Sequence, residues 1–261
     1  MISQRGFTLI ELVTVIVVLS IVAAFSTQFI VTSLDSYSTN KRSNDLVNTS
    51  RAAMEQIARY LRSAVPNSAR VSSSGNCLEV MPSTGGAFYE GQVPDAENGA
   101  ASVSSVVTSS FSLGLGDAEH AVIGALDSSE IYTASSPSAR ADINSTVGNP
   151  IQSIQFDLPH RFMRNSINQR VYVGESPKRF CLAGGSLVLY ENYGLITTAM
   201  DDSDPGGGRV LMANNVSAQG SAFQLSAGTE DRSASVDMSL VFSLSNTRVA
   251  LQQTVLIRNV P

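Results

Sequence analysis

Arg5-Gly6-Phe7-Thr8-Leu9-Ile10-Glu11-Leu12, running on as Val13-Thr14-Val15-Ile16-Val17-Val18-Leu19-Ser20-Ile21-Val22-Ala23-Ala24-Phe25, decides how the rest of the chain is read. Residues 12–34 carry no charge and are mostly apolar, which is enough helix to cross a hydrocarbon core. A secretory signal would place a small-residue cleavage site behind its apolar region. Here the candidate cut, Gly6-Phe7, lies in front, so processing would leave the apolar helix on the mature protein. A carboxylate kept within such a segment costs a few kcal/mol in lipid, so Glu11 is expected to have a partner or a task.

The spacing Gln4-Arg5-Gly6-Phe7-Thr8-Leu9-Ile10-Glu11-Leu12 resembles the signal of type IV pilins and of type II secretion pseudopilins. The resemblance implies that a prepilin peptidase cuts after Gly6 and methylates the new N-terminus at Phe7. It also implies that Glu11 pairs subunits in a filament, its carboxylate neutralising the Phe7 amine of a neighbour. The implied fold is α+β and pilin-like: a long N-terminal hydrophobic helix whose rear half packs on an antiparallel, β-rich globular domain.

With 43% hydrophobic and 15% charged residues over 261 positions, the chain holds enough apolar material for a membrane helix and a separate core. A net charge of −5, with no clustered Lys or Arg, argues against nucleic acid as a partner. Cys77 and Cys181 stand far apart, without the close pairs that zinc sites use, and in an oxidising compartment they most simply form one disulfide. The basic residues flanking the apolar run, Arg5 in front and Lys41 and Arg42 behind, do not decide orientation.

Along the chain, apolar residues recur at helical spacing through Leu46/Val47, Ala53/Met54, Ile57/Ala58, Leu61 and Ala64/Val65, and Pro66 supplies a stop. The expected helix runs from residue 7 to 65, about 90 Å at 1.5 Å per residue. Its parts are a leader at 1–6, a membrane and filament-core segment at 7–31 and an amphipathic continuation at 32–65. Neither Pro nor Gly interrupts it. Residues 66–261 read as a β-rich domain, with strands expected at 77–81, 151–158, 170–173, 186–190, 209–212 and 222–225. Residues 236–244 alternate at period two, and Ser245-Asn246-Thr247 turns into a last strand over 249–258. The Ser-, Ala- and Gly-rich stretch 98–150 reads as a loop-rich insertion with some strand content.

Candidate chemistry is sparse. His120 and His160 lie in no metal or nucleophile frame, and read as surface or hydrogen-bonded structural residues. The loop Asp201-Asp202-Ser203-Asp204-Pro205 lacks the order of a calcium loop, so Asp201, Asp202 and Asp204 read as a solvated turn in preference to a metal site. Neither a G-x-S-x-G elbow nor a Cys-His pairing occurs, and an enzyme or a cofactor is not expected. Tyr190 and Tyr193 leave a surface-adhesin reading open.

Further stretches, Tyr60 to Ser68, Cys77 to Pro82, Leu158 to Phe162 and Phe180 to Gly185, resemble the large minor pilins of the mannose-sensitive haemagglutinin (MSHA) pilus. That resemblance implies a low-abundance subunit of pilus biogenesis. Its implied partners are the prepilin peptidase, other major and minor pilins met through the N-terminal helix, and an inner-membrane assembly platform. It places the N-terminus in the cytoplasm and the globular domain in the periplasm, before transfer into a pilus. A minor pseudopilin of type II secretion is the alternative on the same fold.

Overall fold

The computed structural model describes residues 8–99, 101–228 and 233–257. One uninterrupted helix, α1, spans Leu9–Arg62 (54 residues). It starts where Thr8 accepts the Glu11 N–H at its carbonyl (3.1 Å) and its hydroxyl (3.4 Å), the donor side of a Thr-x-x-Glu capping box. It ends short of the expected residue 65, for a visible reason. The Ala64 N–H tightens onto Leu61 O, and the Val65 N–H is taken by Met81 O at 2.8 Å, so the last residues join the β framework instead of extending the helix.

The chain divides into compact units of residues 1–48 and 49–261. In the first, every residue from 8 to 37 is exposed. Ser20, Thr27, Thr32 and Ser36 return their hydroxyls to the carbonyl one turn back, which satisfies their polarity within the helix.

In the second unit the final turns of α1 bury Ala53, Met54, Ile57, Ala58 and Leu61, the stripe that helical spacing predicts. Tyr60 packs against Phe180 with ring centroids 5.5 Å apart. The strands are β1 (Arg70–Val71), β2 (Cys77–Val80), β3 (Ser83–Phe88), β4 (Val103–Phe111), β5 (His120–Val122), β6 (Arg140–Val147), β7 (Ile151–His160), β8 (Arg170–Gly174), β9 (Lys178–Ala183), β10 (Ser186–Glu191), β11 (Gly208–Asn214), β12 (Val216–Ser226), β13 (Ser235–Leu244) and β14 (Thr247–Leu256). A short helix, α2 (Ser128–Ile131), is capped by Asp127.

They form sheets of order β1-β2-β9-β10-β11, β12-β13-β14 and β3-β8-β5-β6-β7-β4, and the ladders between them are antiparallel. The α+β class read from the sequence is thus the class observed. The six-stranded sheet shows what the stretch 98–150 contributes to the fold. The strand content of that stretch is β4, β5 and β6, half of a sheet built wholly from the contiguous segment 83–174. That sheet has its own core, including Ala121, Ile154, Phe156, Phe162, Val171 and Val173. The closing hairpin is tighter than expected, since Leu244 pairs with Thr247 and Ser245 takes a φ of 53°.

Candidate functional site

Gly6 and Phe7, the expected cleavage and methylation positions, lie outside the described residues. Glu11 is described, in the first turn of α1. Its backbone is capped by Thr8, a local role that the Thr-x-x-Glu spacing in the sequence already signals. Behind it the large apolar side chains face outward, with Leu9 81%, Phe25 73% and Phe29 73% exposed. The segment is long and apolar enough to span a membrane once.

Cys77 and Cys181 are register partners on β2 and β9 and form a disulfide, with Cα atoms 4.2 Å apart and 104 positions apart in sequence. It ties the first long strand of the five-stranded sheet to the middle one, as the sequence led us to expect. Val188 and Tyr190 pack around it.

Two residues along from the disulfide lies a feature that the sequence reading missed. Arg70, Glu79 and Arg179 are successive cross-strand partners on β1, β2 and β9, a row of alternating charge through the sheet. Glu79 is wholly buried and Arg179 is 1% exposed. Glu79 Oε1 accepts from Arg179 Nε (3.1 Å) and from the Tyr193 hydroxyl (2.7 Å), while Oε2 pairs with Arg70 Nε. Arg70 also donates to Thr198 O (3.0 Å) and Ile196 O (2.8 Å), and stacks over the Tyr132 ring at 3.8 Å. Burial, reinforced by the Glu79 carboxylate, pushes the Tyr193 hydroxyl far above its ordinary pKa, so it remains a donor.

The acidic loop serves this row. Arg179 donates to Ser203 O (3.3 Å) and lies 3.9 Å from Asp201. Asp202 accepts from Ser74 Oγ (2.7 Å) and Asn76 Nδ2 (3.2 Å), and Asp204 accepts the Gly206 N–H at 2.8 Å. Burial would raise the Asp202 pKa, but hydrogen bonds from Ser72, Ser74 and Asn76 outweigh it and hold the carboxyl below its usual range. The three carboxylates are therefore spent on separate donors of the protein. Among the described residues no three His, Cys, Asp or Glu side chains converge as metal ligands do.

His120 and His160 are both buried and bonded, not at the surface. His120 Nδ1 lies 2.8 Å from Asp142 Oδ1, and Asp142 also pairs with Arg140. His160 Nε2 meets Ser138 O at 3.1 Å, its ring edge-on to Phe162. Burial lowers the His160 pKa, which keeps the ring neutral in its apolar setting. Tyr190 is 5% exposed and Tyr193 is held on Glu79, so neither presents an open aromatic surface to a ligand.

The fold and the exposed rod define the class: an α+β protein with, among the described residues, one apolar helix long enough for membrane anchoring, ahead of an antiparallel body. Residues 1–27 match the model of the prokaryotic N-terminal methylation motif. No curated protein matches the chain, and neither does any solved structure. The chain thus carries the signal of a type IV pilin or pseudopilin, and the motif implies processing by a prepilin peptidase.

Proposed function

We propose that the chain is a minor type IV pilin that acts in the biogenesis of an MSHA-type pilus. It is made as a prepilin, cut after Gly6 and methylated on Phe7. The observation that carries this reading is the methylation motif leading straight into a helix exposed from residue 8 to 37. Such a rod needs lipid before assembly and neighbouring helices afterwards, because an apolar surface of that length is not left in water. In this role the protein works by assembly, not catalysis. The body lies in the periplasm and the N-terminus in the cytoplasm, and the partners are the prepilin peptidase, the inner-membrane platform and other pilins. Glu11 neutralises the Phe7 amine of the adjacent subunit and so sets filament register. The MSHA-type assignment is supported by the resemblance of Tyr60 to Ser68, Cys77 to Pro82, Leu158 to Phe162 and Phe180 to Gly185.

Mass analysis of the N-terminus, on protein from cells with an active prepilin peptidase, tests the reading. N-methyl-Phe7 is the expected first residue; a chain that keeps residues 1–6 overturns it. In the same cells Glu11→Ala should leave cleavage intact and lower recovery in sheared filaments several-fold. Wild-type recovery would remove the pairing role.

A further inference from the structure

The edge strands of the six-stranded sheet, β3 and β4, run toward each other and almost close it into a barrel. They are joined by the isolated antiparallel bridge between Tyr89 and Thr108 near one end of the seam and by Gly114 and Thr84 near the other. At one end Glu90 N–H donates to Val107 O (3.0 Å), and at the other Gly114 N–H donates to Thr84 O (2.6 Å). Between these ties the Phe88 N–H donates to the Ser109 hydroxyl, at 3.2 Å. Strand geometry turns Thr84, Phe88 and Glu90 toward β4, and by the same alternation Gly86 faces it too.

The opening is a cavity of about 440 Å³, within the roughly 300–1,000 Å³ range of small-ligand sites. Phe88, 53% exposed, and its cross-strand partner Arg170 form one wall, and Ser109 and Ser110 line the other. The Arg170 guanidinium lies 5.3 Å from the Phe88 ring centroid. Its Nε–H is buried and meets no acceptor, and no carboxylate lies within ion-pair distance of it among the described residues. Among the described residues Arg170 is the only charged one lining the cavity, in a chain whose net charge is −5.

The geometry points to a binding site for an acidic saccharide, a uronate unit of a surface polysaccharide. A carboxylate supplies the planar, negatively charged acceptor that the Arg170 guanidinium, which has no carboxylate of the protein within ion-pair distance among the described residues, lacks at the cavity wall. The exposed Phe88 ring offers a face to the apolar side of a pyranose, and Ser109 and Ser110 offer hydroxyl partners for its rim. An extended peptide fits less well. Strand addition needs a row of free backbone groups, and the β3 side is already tied across the seam at Thr84, Phe88 and Glu90. This inference does not depend on the assembly role.

Titration calorimetry of the full chain in detergent, with a digalacturonate probe, tests it against neutral digalactose and an Asp/Glu-containing tetrapeptide. Saturable digalacturonate binding is expected, with digalactose at least tenfold weaker. Arg170→Gln and Phe88→Ala should each weaken digalacturonate at least tenfold. Arg170→Lys, which keeps the charge but loses the fork, should fall between. Each variant is checked for an unchanged melting temperature, so that loss of binding is not loss of fold. Three results overturn the proposal: no saturable digalacturonate binding, equal binding by a folded Arg170→Gln, or tighter binding of the peptide than of the sugar acid.

Discussion

Glu79 stands between two arginines on neighbouring strands, itself sealed from solvent. Ions brought out of solvent are costly, and the cost is met only while each keeps its partners. Glu79→Ala would leave Arg179 buried beside an empty acceptor position. We expect it to lower stability by about 3–5 kcal/mol, read from urea unfolding of the full chain in detergent. A loss under about 1 kcal/mol would mean that the carbonyls of Ile196, Thr198 and Ser203 alone satisfy the two guanidinium groups. Nothing in the sequence marks this row. Arg70, Glu79 and Arg179 each look like a surface charge, because Arg and Glu are seldom fully buried and their strand register is set by partners far along the chain. The cysteines were legible for the opposite reason. Only one partner exists for each, so the pairing of Cys77 with Cys181 needs no knowledge of the sheet.

Among the elements, legibility follows chemistry. β13 was clear because Val236, Met238, Leu240 and Phe242 alternate with Asp237, Ser239 and Ser243. β4 was not, because Val103, Val106, Val107 and Phe111 are separated by Ser and Thr, whose hydroxyls look like turn signals although they suit a pleated surface. The same blindness hid β3, whose Gly85-Gly86 reads as a loop. The helix was the plainest element, and its end was missed only by the capture of Val65 on Met81. The disulfide acts at this scale too, by joining two strands whose ladder continues through Leu78↔Phe180 and Glu79↔Arg179. Replacing both cysteines with Ala should therefore keep the strand content, read by far-UV circular dichroism, and lower stability by about 2–5 kcal/mol in urea. A changed far-UV spectrum in the folded variant would show that the bond organises the sheet and does more than restrict the unfolded chain.

For the molecule as a whole, one stretch sets the solvent it needs. Residues 12–34 present no charge, and their side chains face outward all round the helix. Val18→Arg near the middle should cost about 2.5–3.5 kcal/mol of membrane insertion. We expect it to move a large fraction of the protein from the carbonate-resistant membrane pellet to the supernatant. Full retention in the pellet would mean that the segment does not anchor the chain.

The entire six-stranded sheet, residues 83–174, lies between the two bridged cysteines. If the polypeptide is held by its helix and tugged at its far end, tension crosses from Cys77 to Cys181 through sulfur. The 104-position excursion between them then carries no load, and roughly 350 Å of contour length at 3.3–3.6 Å per residue stays out of reach of the pull. Whatever the cavity at its seam holds would be sheltered from mechanical strain for as long as that bond stays oxidised.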